Sequence, residues 1–251
     1  MFRSPTRGLA AVYPPREDTA LLVRAAGGCR GRTVLEIGTG SGAAAVAAAR
    51  AGARRVVATD LNPLALRALR RNARAAGVAV EAVRTDLAAG LGRFDRVLAN
   101  PPYLPTRAAE RDPEPLVNLA LDGGPDGCAV LARLLRGLPR HLETGGVAYV
   151  VVSSLQRASR RARLLAAWRA RGGRARPTDA VRLEGETLTL WELSLPEPRR
   201  AARPSARSAR GTRARRGSRA GHRPASSPAA ASGRTPARGG ASGRRRSPLG
   251  S

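Results

Sequence analysis

The tetrapeptide Asn100-Pro101-Pro102-Tyr103 has the composition best suited to hold a planar NH2 group. It follows residues 94–99, a short and largely apolar run that predicts a buried strand. The Asn100 side chain has a carbonyl acceptor, and the backbone C=O of Pro101 is a second acceptor whose direction the ring restricts. Two acceptors can take both hydrogens of one amino group, while Tyr103 can lie against the flat face of the target.

Holding an NH2 group in this way has a chemical purpose. An amide or aryl NH2 is a poor nucleophile because its lone pair is delocalised into the neighbouring carbonyl or ring. Acceptors whose geometry improves as the nitrogen becomes tetrahedral stabilise the transition state more than the ground state. The alternative interpretation of these four residues is a proline-rich turn after a strand, and the residues upstream weaken it.

Upstream, a glycine-rich turn, residues 38–42, follows the β-rich run Thr33–Ile37 and precedes an alanine-rich, helix-forming run. A strand, a turn and a helix in this order are typical of nucleotide-binding α/β domains, where glycines such as Gly38 and Gly40 let the backbone approach a ligand. The spacing Gly-x-Gly-x-Gly is not that of dinucleotide-binding turns. Together with Glu36 inside the strand it favours S-adenosylmethionine, because an acid near the first turn can hold the methionine ammonium.

Two further acids stand at the ends of the next two predicted strands. Asp60 lies about 20 residues past the glycines, where an acid can accept both ribose hydroxyls. Asp86 follows a third strand at residues 80–84, a position from which it can accept the exocyclic amine of adenine while Leu87 packs on the ring. Each acid alone is more often a surface or capping residue, but with Glu36 the three predict one cofactor site.

The remaining residues predict further strands and helices that end in a hairpin. Asn62-Pro63 opens a helix that continues to residue 76, and either Asp18 or Thr19 is expected to cap an earlier helix. Farther along we expect a long loop at 104–124, a helix at 127–138, a strand at 147–153, a basic helix at 155–171, and strands at 181–184 and 187–195. These elements predict an α/β fold with a seven-stranded, mostly parallel sheet.

The charge distribution separates a basic tail from the rest of the chain of 251 residues. The net charge is +27, and all 45 basic residues are arginines. Residues 199–251 hold 15 of them and no acid, which leaves 30 basic and 18 acidic residues in the first 198. We expect an N-terminal segment with the first helix at 1–30, the main domain at 31–196, and a disordered basic tail at 197–251, since the tail has too few apolar residues to form a core.

The two cysteines, Cys29 and Cys128, lie far apart without His or Cys neighbours at metal spacing. They are expected to be reduced, and no metal site is predicted. The start of the chain has no apolar signal region, and the longest apolar run, residues 43–49, is too short to cross a bilayer. The expected location is therefore the cytoplasm, without membrane association.

Taken as a set, four motifs between residues 10 and 195 resemble the class I methyltransferases of the HemK family, which methylate the glutamine amide of peptide release factors. They are residues 35–42, 60–63, 85–87 and 100–103, and residues 122–127 look like the Gly-Gly-x-x-Gly element of that family. The resemblance implies a Rossmann-like fold and S-adenosyl-L-methionine as cofactor. It implies cofactor contacts for Thr19, Glu36, Gly38, Gly40, Asp60, Asp86, Leu87 and Asn100, and acceptor contacts for residues 100–103.

Residues 13–19 are similar to the motif that begins the short branch of the family, which lacks the helical substrate domain of the long branch. This similarity implies that Thr19 lines the cofactor pocket rather than only capping a helix. It also implies a release factor as the protein substrate. Some short-branch enzymes work with a small zinc-binding activator subunit, which is a possible partner of this chain.

Two other functions stay open on the sequence. Adenine N6 and cytosine N4 are also planar NH2 groups, so a DNA or RNA amino-methyltransferase would use the same tetrapeptide; few aromatic residues are present to hold a flipped base. Alternatively, the basic tail could make the chain a nucleic-acid- or ribosome-associated protein, with salt-dependent affinity for phosphates. An arginine-biased, solvated extension is the simpler explanation of the tail.

Overall fold

The structure, a computed structural model, describes residues 12–196, and within them six α-helices flank one seven-stranded sheet. The strands are β1 (Thr33–Ile37), β2 (Arg55–Asp60), β3 (Glu81–Arg84), β4 (Phe94–Ala99), β5 (Leu142–Ser153), β6 (Arg174–Leu183) and β7 (Glu186–Ser194). The helices are α1 (Glu17–Ala26), α2 (Ala43–Arg50), α3 (Pro63–Ala75), α4 (Pro115–Leu121), α5 (Ala129–Gly137) and α6 (Ala158–Ala170). Short 3-10 turns cover Ala108–Glu110 and Leu138–Arg140.

The sheet has the strand order β3-β2-β1-β4-β5-β7-β6. Strands β1 to β5 run parallel, whereas β7 pairs antiparallel with both β5 and β6. The chain order reverses between β1 and β4, which are hydrogen-bonded neighbours, and such a reversal leaves a crevice beyond the carboxyl ends of the strands. The predicted seven-stranded, mostly parallel sheet with a terminal hairpin is confirmed.

Two apolar clusters cover the two faces of the sheet. Trp168 and Leu165 of α6 pack with α5 and the inward residues of β4 and β5 on one face, and Leu164 is only partly buried there. On the other face Leu21 of α1 and Leu69 of α3 pack with the alanines of α2. Because β1 and β2 are covered on both sides, their inner residues form short buried and mostly apolar runs, and this is why these strands are easy to predict.

Several element bounds were predicted closely. The observed β1 and β4 coincide with the expected strands at residues 33–37 and 94–99, and α2 coincides with the alanine-rich run. Helix α3 begins after the Asn62 cap, whose side chain accepts a 2.9 Å hydrogen bond from the Leu64 N–H. In each case the local sequence pattern that predicts the element agrees with the burial of its residues in the structure.

Other bounds were wrong. The expected loop at 104–124 contains α4, a short helix with Pro115 at its start that buries Val117. The expected strand at 147–153 begins five residues earlier at Leu142, because a bulge opposite β4 takes up residues 143–146 without ending the pairing. Strand β6 is also longer than expected, since it pairs with β7 along its length as an edge strand that tolerates Pro177.

The start of the first helix also differs from the prediction. Helix α1 has Arg16 as its N-cap, so Asp18 and Thr19 lie within its first turn rather than at the cap. The Thr19 hydroxyl does accept a long 3.4 Å contact from the Arg16 N–H. This placement frees Asp18 to face the interior of the protein, where it is 1% exposed.

Within residues 12–196 no helix is long and apolar enough to cross a membrane. The same part of the chain contains no group of three His, Cys, Asp or Glu side chains arranged to hold a metal ion. Cys29 and Cys128 are both buried and unbonded to each other. The basic tail predicted to be disordered, residues 197–251, lies outside the described residues.

Candidate active site

A cavity of about 360 Å³ opens beyond the carboxyl ends of β1, β2 and β4. Its walls come from residues 12–19 before and within α1, from the turns after β1 and β2, from residues 100–104 after β4, and from α4 and the terminal hairpin. The predicted site residues Thr19, Glu36, Gly38, Gly40, Asp60 and residues 100–103 all line it. Segments that are distant in sequence therefore meet at one crevice.

The glycine-rich turn brings backbone to the floor of this cavity. Gly38 and Gly40 have φ values of 72° and 53°, which non-glycine residues rarely adopt. The N–H groups of Gly38 and Thr39 donate to the Thr59 carbonyl at 2.9 Å, so β2 supports the turn from below. Gly42 serves packing instead, because an added Cβ would lie 2.4 Å from Leu69 Cδ1.

Glu36 is buried beneath the turn. Its carboxylate accepts from Thr39 Oγ1 at 2.6 Å and from the Ala45 N–H at 3.0 Å. Burial raises the pKa of Glu36 to about 7; the nearby Asp60 carboxylate adds to the rise, and the bonds from Thr39 and Ala45 oppose it. Among the described residues Glu36 forms no ion pair. A cationic ligand group in the cavity would therefore be its oppositely charged partner.

The raised pKa of Glu36 predicts a pH-dependent affinity for a ligand ammonium. Because only the ionised carboxylate attracts a cation, affinity should weaken as pH falls below about 7, approaching about tenfold per unit at low pH. Conversely, the ligand-free protein should lose stability as pH rises from about 5 to 7, since its folded state holds the Glu36 proton more tightly than the unfolded chain.

Thermal unfolding with and without S-adenosylmethionine at pH 6 and pH 8 measures both effects. The melting-temperature gain from the ligand should be larger at pH 8. Glu36→Gln is the control, since it keeps the size of the side chain and should remove the pH dependence along with most of the affinity. An equal gain at both pH values in the unchanged protein would contradict the role of Glu36.

Asp60 lies beside Glu36 at the end of β2. Its carboxylate accepts from the Gly40 N–H at 3.0 Å and from the Asn62 N–H at 2.8 Å, and both bonds fix its orientation. Burial raises the pKa of Asp60, with these backbone bonds opposing the rise. The side chain lines the cavity about where a ribose would be expected from its position after the second strand.

Asp86 and Leu87, by contrast, are not among the residues that line the cavity. Asp86 forms an ion pair with Arg133 of α5. Leu87 has a positive φ of 51°, and its carbonyl accepts a 2.7 Å bond from Thr59 Oγ1. Their contact with adenine stays a prediction, and it requires the Asp86 carboxylate to turn from Arg133 or to accept from both partners.

The loop after β4 presents Asn100 to the cavity. Asn100 Nδ2 donates to Asp18 Oδ2 at 2.9 Å. Asn100 Oδ1 is buried and, among the described residues, is the one buried side-chain polar atom without a hydrogen-bond partner. Pro101 is buried and both prolines line the same cavity. An acceptor atom without a partner beside a cavity is the arrangement expected where a ligand donates a hydrogen bond.

Residues 122–127 pack against the Asn-Pro-Pro-Tyr loop and form hydrogen bonds with the residues that follow it. The Gly123 N–H donates to the Leu104 carbonyl at 2.9 Å, and the Thr106 N–H donates to the Gly124 carbonyl at 3.0 Å. Gly127 packs so closely that an added Cβ would lie 2.3 Å from the Tyr103 carbonyl oxygen. Its own carbonyl accepts from Gln156 Nε2 at 2.8 Å. This loop therefore sets the position of the tetrapeptide.

Sequence reasoning missed part of the site. It treated Asp18 as a helix cap and assigned no role to Tyr13, whose hydroxyl donates to Asp18 Oδ2 at 3.0 Å. It also missed two apolar residues that line the cavity, Leu119 of α4 and Leu155 after β5, which are 42% and 40% exposed. No local signal marks these residues, because their role depends on which segments pack together.

Comparisons with known proteins find similar chains. Residues 17–113 match the family described as "Methyltransferase small domain". A putative protein N5-glutamine methyltransferase of Methanocaldococcus jannaschii is 40% identical over 145 residues, which cover 57% of this chain and 73% of that protein. A release factor glutamine methyltransferase of Moorella thermoacetica is 41% identical over 160 residues, which cover 58% of this chain and 56% of the relative, so the chain spans about half of such enzymes.

A solved structure is also similar. The Mtq2-Trm112 complex of E. cuniculi, described as responsible for methylation of the translation termination factor eRF1, contains a chain that matches with a TM-score of 0.57 and 28% identity. The match covers 74% of this chain and all of that one.

The fold and the site thus define a class I S-adenosylmethionine-dependent methyltransferase. Within that class, the chain belongs to the HemK-like family of protein N5-glutamine methyltransferases. The predicted family and cofactor are confirmed. The cavity fits S-adenosylmethionine, because Glu36 offers a buried carboxylate to an ammonium and Asp60 lines the same cavity with a carboxylate that can accept from hydroxyls.

Proposed function

We propose that this chain methylates the side-chain amide nitrogen of a glutamine in a peptide chain release factor. The observation that carries the proposal is Asn100 Oδ1, a buried acceptor without a partner within residues 12–196, at a cavity that Glu36 and Asp60 also line. A primary amide donates two N–H bonds, and Asn100 Oδ1 with the Pro101 carbonyl would accept both. The names of the relatives support glutamine as the methylated residue.

In this proposal, residues at one end of the cavity bind the cofactor and residues at the other end orient the methyl acceptor. At one end, Glu36 would hold the ammonium of S-adenosylmethionine and Asp60 its ribose hydroxyls. When bound, the cofactor supplies an electrophilic methyl group on a sulfonium sulfur, which departs as a neutral thioether. At the other end, Asn100 and Pro101 would orient the acceptor nitrogen, and Tyr103 would lie against the amide plane.

No strong base is required for this transfer. The bond from nitrogen to the methyl carbon forms as the bond from sulfur to that carbon breaks, and the nitrogen then loses a proton to water. Burial and the neighbouring Asp18 raise the pKa of Tyr103, so its hydroxyl stays protonated and cannot serve as a base. Positioning supplies most of the rate, and effects of this kind reach roughly 7–11 kcal/mol in well-oriented pairs.

A labelling experiment tests the acceptor. The purified chain is incubated with methyl-labelled S-adenosylmethionine and, in separate reactions, a release factor, structured RNA and duplex DNA from the same cells. We expect label only in the release factor, and peptide mass spectrometry should place one added methyl group on a glutamine side chain. Label in RNA or DNA that is absent from the release factor would replace this proposal with an amino-methyltransferase of nucleic acid.

Two further partners form part of the proposal. The E. cuniculi neighbour is described as a complex with Trm112, which supports a second subunit as a partner of this chain. The family resemblance implies that this subunit is small and binds zinc. The tail, with 15 arginines and no acid over residues 199–251, would add nucleic-acid affinity that is independent of sequence. Adding the small subunit to the labelling reaction tests whether it raises the rate of methylation. Measuring nucleic-acid binding with and without residues 199–251 tests the role of the tail.

A further inference from the structure

Asp18 receives an unusual number of hydrogen bonds for one buried side chain. Its Oδ2 atom accepts from Asn100 Nδ2 at 2.9 Å, from the Tyr13 hydroxyl at 3.0 Å and from the Tyr103 hydroxyl at 3.4 Å. Its Oδ1 atom accepts from the Thr19 N–H at 2.6 Å and the Thr19 hydroxyl at 3.2 Å. The carboxylate is thus surrounded by donors from two separate parts of the chain, residues 13–19 and residues 100–103.

This arrangement determines which way the Asn100 amide faces. The two ends of an asparagine amide have nearly the same shape, so packing alone hardly distinguishes them. An ionised carboxylate can only accept, and therefore Asn100 must turn its NH2 group toward Asp18. The opposite orientation would bring two oxygens together at 2.9 Å, the distance now separating Asn100 Nδ2 and Asp18 Oδ2. Asn100 Oδ1 consequently faces away from Asp18 and lacks a partner among the described residues.

The two tyrosines hold the carboxylate in this position. Burial, followed by the charge of Asp18, raises the pKa of both Tyr13 and Tyr103, so both hydroxyls stay protonated and donate. Tyr13 precedes α1 and Tyr103 belongs to the loop that contains Asn100. The cluster therefore links the first helix to the acceptor loop across 82 residues of sequence.

We propose that Asp18 is a positioning residue for the methyl transfer: it holds the Asn100 amide with the oxygen toward the acceptor nitrogen. The proposal rests on the proposed function, since it assumes that the acceptor is an NH2 group. In the reversed orientation, the NH2 group of Asn100 would face the NH2 group of the substrate. Both groups are hydrogen-bond donors, so the hydrogen bond from the substrate nitrogen to Asn100 would be lost. Asp18 itself touches neither the acceptor nor the methyl group in this scheme.

A double-mutant cycle separates this role from a merely structural one. We expect Asp18→Ala and Asp18→Asn to lower kcat by roughly 10²-fold, comparable to the loss of one transition-state hydrogen bond elsewhere. The dissociation constant for S-adenosylmethionine should change by less than about threefold, since the Glu36 and Asp60 contacts are untouched. In an Asn100→Ala background, the same Asp18 substitutions should lower kcat no further, because the group they orient is absent.

The control is Asp179→Asn. Asp179 is a carboxylate in β6 that pairs with Arg24 of α1 at 2.7 Å, away from the cavity. It tests whether losing any acid that contacts α1 lowers the rate, and its kcat should equal that of the unchanged chain. If the effects of Asp18 and Asn100 substitutions multiply in the double variant, or if the Asp179 variant loses as much rate, the positioning role is wrong.

A second measurement needs no acceptor. In an NMR spectrum of the cofactor-bound chain, the side-chain NH2 signals of Asn100, assigned by their loss in Asn100→Ala, should exchange slowly with solvent. Asp18→Asn should abolish that protection, and unchanged exchange would overturn the proposal even if the enzyme proves to act on another substrate. Conversely, protected signals in a chain that labels no release factor would contradict the proposed function and leave the Asp18 contact established.

Discussion

Replacing Asn100 with alanine should lower kcat by roughly 10²–10³-fold while leaving cofactor binding nearly intact. The substitution removes Oδ1, the buried acceptor that has no partner within residues 12–196, and with it one of the two hydrogen bonds to the acceptor nitrogen. Removing one donor or acceptor that acts on the transition state typically costs roughly 10²–10³ in kcat. Most cofactor contacts, from Glu36 and Asp60, remain, so calorimetry should show a dissociation constant within about threefold of the unchanged protein.

Asn100→Gln sharpens this test. It keeps the amide but moves it outward by one methylene, and a displacement of about 1 Å can cost about 10²-fold in rate. Both variants should melt at nearly the temperature of the unchanged chain, because the Asn100 side chain donates a single hydrogen bond, to Asp18, among the described residues. Either variant retaining most of its kcat would show that Asn100 does not hold the acceptor.

Gly127→Ala should lower both the stability and the activity of the chain. Gly127 has a φ of 69°, which costs an alanine on the order of 1–2 kcal/mol, and the new Cβ would lie 2.3 Å from the Tyr103 carbonyl oxygen. The new Cβ would meet a backbone atom, which cannot move away as a flexible side chain could. The Asn-Pro-Pro-Tyr loop must therefore shift. We expect kcat to fall by at least about tenfold, because the acceptor groups lose their alignment.

Gly77→Ala is a matched control for this substitution. Gly77 has nearly the same φ, 66°, but an added Cβ would meet no atom within 4 Å, and the residue lies after α3 away from the cavity. It should therefore lose stability from backbone strain alone and keep its full kcat. Urea unfolding and steady-state rates measured on both variants separate strain from displacement, and equal behaviour of the two would show that the loop tolerates the contact.

The elements closest to the chemistry were also the easiest to predict. Strand β1, its glycine turn and strand β4 combine apolar runs with residues such as Gly38 whose backbone requirements are local. Less local elements were predicted poorly. Helix α4 has no side-chain cap hydrogen bond and seven residues, and the first part of β5 contains Gly145 and Gly146, so neither shows a clear pattern until its neighbours are present.

By itself the sequence determined the class of chemistry, because an Asn-Pro-Pro-Tyr tetrapeptide, a glycine turn and acids at successive strand ends each depend only on nearby residues. Tertiary structure alone decided the partners of those groups. Asp18 lies 82 residues from Asn100, and Asp86 lies 47 residues from Arg133, so neither contact leaves a periodic or compositional signal. Such contacts arise only when α1 and α5 pack against the sheet, and that packing gives the Asn100 amide its direction.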